Sequence, residues 1–132
     1  MAEANIARLA TRNPAGLVDL VPFVFAWMPG GDFGCLVSAV DHKPKRSSRL
    51  QRLANIAADP RVTVLVDHYA DDWTTLWWVR LRGDATELAP GRDSNAAIDS
   101  LVAKYPQYRE RRPVGPVVRV VITDLIGWAA DA

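Results

Sequence analysis

A small, mostly antiparallel β-barrel with α additions is the fold class this sequence predicts, on three observations. Val62, Val64 and Val66 alternate with other residues, the period-two signature of a half-buried strand. Short runs rich in Val, Leu and aromatic residues recur between turns built from Gly, Pro, Asn and Asp. Two segments switch to helical period and are interposed between the strands. A chain of 132 residues has room for one domain, here residues 1–132.

In chain order, Asn13-Pro-Ala-Gly16 is a turn signal, and Leu17 to Met28 follows as an extended run. Pro29-Gly-Gly-Asp32 is a second turn before a strand from Phe33 to Val40, so the two runs read as a β-hairpin. From Lys45 to Ala58 the period changes. Leu50, Leu53, Ala54 and Ala57 form one face and Arg46, Arg49 and Arg52 the other, and Asp59-Pro60 stops the helix. Arg61 to Tyr69 is a strand, Ala70-Asp-Asp72 a turn, and Trp73 to Leu88 a long strand with Gly83 marking a bulge. Asp93 or Ser94 caps a second helix with the stripe Ile98, Leu101, Val102 and Tyr105. Tyr105 to Pro116 reads as an irregular loop and Val117 to Ile122 as the last strand.

The bulk numbers exclude several function classes. The formal charge of +1 argues against a molecule-wide polyanion surface. A single cysteine, Cys35, forbids an internal disulfide and suits a reducing compartment. The start Met1-Ala-Glu-Ala-Asn5 has no secretory pattern, and the uncharged stretch Leu20 to Gly31 is only 12 residues with two prolines. A membrane helix needs about 20 apolar residues, so a soluble, cytoplasmic protein is expected.

The charge is unevenly spread. From His42 to Ala58 there are five bases and no acid. That segment carries +5 against a total of +1, which leaves −4 for the remainder. Lys43, Lys45 and Arg46 sit where a strand gives way to a helix N-terminus, whose free N–H groups and dipole also favour an anion. A solvated helix face explains the arginine spacing equally well. Cations gathered at the electrostatically disfavoured end of a helix tip the balance toward an anion site.

Trp73, Trp77 and Trp78 form an aromatic cluster. On a strand, Trp77 and Trp78 point to opposite faces. One enters the core, and the other covers a partner surface or a planar ligand or faces solvent. His42 and His68 have no third ligand at metal spacing. There is no Gly-rich phosphate loop and no nucleophile elbow. An anion site with flat apolar surface and no acid–base machinery suits chemistry that belongs to a bound cofactor.

The ordered set Gly16-x-Val-Asp-Leu-Val-Pro-Phe23, Val40-Asp-His-Lys-Pro-Lys-Arg46, Arg49-Leu50, Arg52-Leu-Ala-Asn-Ile56 and Asp59-Pro-Arg-Val62 resembles one family. So does the continuation Leu65-Val-Asp-His-Tyr69, Leu76-Trp-Trp-Val-Arg80 and Lys104-Tyr-Pro-Gln-Tyr108. It is the pyridoxamine-5′-phosphate-oxidase-like family of FMN-binding split β-barrels, in the branch of flavin/deazaflavin oxidoreductases that use coenzyme F420. The resemblance implies a single split barrel of six or so antiparallel strands with two or three helices. It further implies a cytoplasmic homodimer that transfers a hydride between the deazaflavin and a small organic substrate.

By the same resemblance, cofactor-binding residues are expected at Ser38, Lys43, Lys45, Arg46 and Arg49. Trp77, Trp78 and Arg80 are expected on a strand that approaches the cofactor across the dimer. Many relatives carry Pro-His where this chain has Val18-Asp19, and often a helix before the first strand. No side chain is assigned as proton donor, although His68, Tyr69 and Tyr105 are within reach. Two alternatives stand beside this reading: the same fold with FMN, and a non-enzymatic module whose basic helix grips an anion or nucleic acid. Neither nucleic acid nor membrane is an expected partner.

Overall fold

A computed structural model describes the backbone of residues 1–39 and 47–130, and the side chains of those residues except 47–50. The first strand, β1 (Ala7–Arg12), buries Ala7, Leu9 and Thr11 and exposes Arg8 and Arg12. Asn13 then turns the chain. Its side-chain oxygen accepts from the N–H groups of Ala15 and Leu17, and Gly16 takes a φ of +82° that only glycine adopts cheaply. β2 (Val18–Phe23) returns antiparallel to β1, with Ala7 opposite Phe23 and Arg12 opposite Val18.

After Val24 and Phe25 come β3 (Ala26–Met28) and its hairpin partner β4 (Cys35–Ala39). α1 (Ser47–Ala58) leads to β5 (Arg61–His68). A single 3₁₀ turn at Trp73–Thr75, capped by the Asp72 carboxylate, precedes β6 (Trp77–Leu88). α2 (Arg92–Lys104), α3 (Pro106–Glu110) and β7 (Val117–Ala129) complete the chain.

All strand pairs are antiparallel, in the order β2-β1-β5-β6-β7-β4-β3. This order requires closure. Six steps of about 4.8 Å would hold the edges of a flat seven-stranded sheet about 29 Å apart. Yet the edges β2 and β3 are joined by Val24 and Phe25 alone, a link that reaches about 10 Å. The sheet therefore curls until its edges meet.

Two apolar clusters follow from this closure. Leu9, Phe25, Leu36, Val64, Val66, Leu81 and Val120 fill the barrel, and Ile56 of α1 joins them. On the outer side, Val37 and Ala39 of β4 pack against Ile98 and Leu101 of α2. The other outer surface is that of β5, the first half of β6 and the C-terminal half of β7. There Leu65, Ile126 and Trp128 are exposed.

The split-barrel class, the strand at β5 and the bulge at Gly83 are as the sequence predicts, the last as a register shift between Arg82 and Gly83. Other expectations need correction. Leu17 to Met28 is two strands at opposite sheet edges, and only Ala26–Met28 forms a hairpin with β4. β1 is an additional strand, α3 lies within the expected loop, and β7 runs seven residues past Ile122. α2 starts at Arg92, so Ser94 caps from inside the helix, with its Oγ exchanging hydrogen bonds with the backbone of Gly91.

Candidate functional site

At the C-terminal end of β4, Ser38 faces a cavity of about 180 Å³. Arg52 of α1, Tyr108 of α3 and the seam residues Pro22 and Val24 line it as well. Of the expected cofactor residues, Ser38 therefore joins a base of the +5 segment, Arg52. Lys43, Lys45 and Arg46 lie outside the described residues. Arg49 sits in the first turn of α1, with its side chain outside the description.

A buried polar network fixes α1 against the barrel. Asn55 is completely buried and donates from Nδ2 to Asp19 Oδ2 (2.8 Å) and Thr11 Oγ1 (3.0 Å). Gln51 Nε2 donates to Asn55 Oδ1 at 2.7 Å, and Asn13 Nδ2 donates to Asp19 Oδ1 at 3.1 Å. Both oxygens of Asp19 are thus occupied. Asp19 is thus a strut between β2 and α1.

The aromatic and arginine residues of β6 divide as the alternation predicts. Trp77 packs against the barrel core. Trp78 lies on the opposite face, level with Asp67 of β5 and Trp128 of β7. Arg80 is level with Leu65 and Ile126 on that same face. Its Nε is buried and has no hydrogen-bond partner among the described residues. A buried guanidinium N–H without an acceptor costs free energy comparable to a lost hydrogen bond.

Within one chain the two groups of residues stay apart. Ser38 pairs with Val118, which pairs with Glu87, and Glu87 is seven residues along β6 from Arg80. At 3.3 Å per residue that separation is about 23 Å.

The remaining candidates fall into structural positions. Tyr105 is buried, and its hydroxyl accepts from Phe25 N–H (3.0 Å) and faces the carbonyls of Asn5 (2.8 Å) and Phe25 (2.9 Å). Burial raises its pKa, which makes it a clamp and a poor proton donor. His68 lies 3.3 Å from Thr75 Oγ1, and Tyr69 is exposed. No cluster of His, Cys, Asp and Glu that could hold a metal occurs among the described residues. Burial pushes the Cys35 thiol up, so it is a core residue. No helix among the described residues is long and apolar enough to cross a membrane.

Sequence reasoning did not reach two features. The Thr11–Asp19–Asn55 network joins residues far apart in the chain, and Lys104 looks like an ordinary C-terminal helix lysine. Arg52 carried a signal, three residues after Arg49 on the basic face.

Solved structures share this architecture. The conserved hypothetical protein Rv2991 of Mycobacterium tuberculosis superposes with a TM-score of 0.74 at 21% identity, covering 96% of this chain and 78% of that one. An FAD-binding protein of Mesorhizobium loti gives 0.69 at 18% identity, covering 96% and 86%. HutZ, the heme storage protein of Vibrio cholerae, gives 0.74 at 11% identity, covering 98% and 92%. No curated protein matches by sequence. The family model for pyridoxamine 5′-phosphate oxidase matches residues 1–128. An antiparallel barrel matched by the family model over nearly its whole length makes this chain a member of the pyridoxamine 5′-phosphate oxidase family.

Proposed function

We propose that this protein is a homodimeric oxidoreductase that uses coenzyme F420 and passes a hydride between the deazaflavin and a small organic substrate. The observation that carries the reading is Arg80, whose Nε is buried with no hydrogen-bond partner among the described residues, level with the exposed Leu65 and Ile126 on the same face. A second copy seated on that face would bring Arg80 and Trp78 toward the partner's basic segment.

The residues fit a polyanionic ring cofactor. Ser38 and Arg52 line one pocket, and Arg52 belongs to a sequence segment of +5, which suits a phosphate and further carboxylates better than a neutral ligand. Trp78 offers a flat apolar surface for a ring system. When bound, the deazaflavin supplies the hydride chemistry. The protein's part is to neutralise the anionic end, orient the ring and exclude water.

Fluorescence titration of the protein with F420 and with FMN, side by side, tests the cofactor. Tighter binding of F420, weakened at least tenfold in the Lys45→Ala/Arg46→Ala double variant, is the expected result, since each charge-assisted contact contributes about 1.5–3 kcal/mol. Preference for FMN would move the protein to the flavin side of its family, the chemistry named for the Mesorhizobium loti relative. Unchanged affinity in the double variant would remove the basic segment from the site.

A further inference from the structure

A second cavity adjoins the first. It measures about 520 Å³ and is lined by Asn5, Ile6, Val24, Lys104, Gln107 and Tyr108, among others. Val24 and Tyr108 line both cavities, so they form the wall between them.

Lys104 is the cation of this cavity. Its Nζ donates to the Phe25 carbonyl at 2.7 Å and lies 3.8 Å from the centre of the Phe25 ring and 5.1 Å from that of Tyr105. An ammonium has three donors, and two of them have no acceptor among the described residues. No carboxylate lies within ion-pair distance of it in the described structure. The acid that acts on it, Glu3, is exposed and pairs with the chain's own N-terminus. Burial without a counter-charge lowers the Lys104 pKa to about 8. Half-buried cations ordinarily find an anion. Asn5 and Gln107 add polar groups to the lining, and Ile6, Val24, Pro106 and the ring of Tyr108 form its apolar part.

We infer that this cavity is a carboxylate subsite, in which Lys104 binds a carboxylate whose hydrocarbon or aromatic body rests on Ile6, Val24 and Tyr108. Two sources offer that chemistry. One is an acidic extension of the ligand held at Ser38 and Arg52, passing the Val24–Tyr108 wall. The other is a free carboxylate-bearing substrate. The first rests on the deazaflavin reading above; the second does not.

Benzoate is the probe for the cavity itself, followed by chemical-shift titration of the Tyr105 and Tyr108 rings and the Lys104 ε-methylene in protein without cofactor. Saturable shifts are expected, absent with benzamide and weakened at least tenfold in Lys104→Met. Gln107→Trp, which fills the cavity from the exposed side of α3 and keeps the lysine, should abolish them and guards against a folding defect in the first variant. A second titration compares F420 with the same phosphorylated deazaflavin lacking its glutamates. A tail advantage that Lys104→Met erases identifies the cofactor's acidic extension as the occupant. Equal binding of the two, with benzoate still Lys104-dependent, identifies a free carboxylate. Failure of both deazaflavins to bind sinks the proposed cofactor and leaves the benzoate result standing. The subsite is overturned if neither the benzoate shifts nor a tail advantage depends on Lys104.

Discussion

Asn55 on α1 donates a 2.8 Å hydrogen bond to the carboxylate of Asp19 on β2, across 36 residues of sequence and from a completely buried position. This bond fixes the helix that carries Arg49 and Arg52 to the edge strand of the barrel. The placement of Arg52 is thereby tied to the barrel wall.

Asn55→Ala should therefore cost both stability and ligand affinity. Thr11, Gln51 and Asp19 each lose a partner, and a buried group left unsatisfied costs about 1–3 kcal/mol. Urea denaturation measures the first effect and cofactor titration the second. A variant with wild-type affinity would show that α1 holds its place without the network.

Gly83→Ala tests the bulge. A Cβ at this position collides with the Val121 carbonyl oxygen and reaches 2.9 Å from Val120 Cγ1. Backbone cannot yield as a side-chain tip does, and overpacking of this kind costs about 1–3 kcal/mol. A fall in Tm is expected, roughly 2–8 °C per kcal/mol at this chain length. Gly16→Ala meets no atom but is strained by its positive φ, so it is the matched control for backbone conformation without collision.

Trp77 and Trp78 are neighbours with opposite expected phenotypes. Trp77→Ala removes a ring packed against the barrel core and should lower stability by about 3 kcal/mol or less, the upper figure applying to full burial. Trp78→Lys leaves the core intact and places a charge on the outer face. Light scattering after size exclusion should report a monomer for Trp78→Lys and a dimer for wild type. A dimer that survives this change would locate the interface elsewhere.

The buried ammonium gives a pH signature with a definite sign. Burial holds the Lys104 pKa at about 8 in the folded protein, against an ordinary value of 10.5. Below pH 8 both states carry the charge and folding bears the desolvation cost. Between about 8 and 10.5 the unfolded state binds more protons, so this group's contribution to stability rises with pH. Tyr105, raised by burial, opposes it above pH 10. Thermal melts from pH 7 to 10 should show the rise in wild type and not in Lys104→Met. Bound benzoate should diminish it, because a carboxylate stabilises the charged amine.

Elements with strong local pattern were legible before any coordinates. The Val62, Val64 and Val66 alternation is buried along β5, and Ile98 and Leu101 are buried on α2. β1 escaped because Ala7-Arg-Leu-Ala-Thr-Arg12 has little β propensity, and its partners β2 and β5 supply what its sequence lacks. Asp124 and Gly127 look like breakers, yet pairing with β6 carries β7 through both. The break at Val24–Phe25 obeys a global requirement, the meeting of two sheet edges, that no local window contains.

The site was legible to the same degree. A run of bases without acids is a local feature, as is the facing of Trp77 and Trp78. The Asn55 strut and the isolated Lys104 ammonium depend on which distant groups surround them. Local sequence carries no record of that.

Closure through the Val24–Phe25 seam also orders the assembly of the molecule in time. β5, β6 and β7 form a meander in which the β5–β6 turn is local, whereas Leu9 must find Val64 and Ser38 must find Val118, eighty residues away. Non-local pairings carry the loop-closure entropy and form slowly. On the ribosome, β4 therefore waits for β7, and the N-terminal strands clasp the meander from both flanks only once β7 has been made.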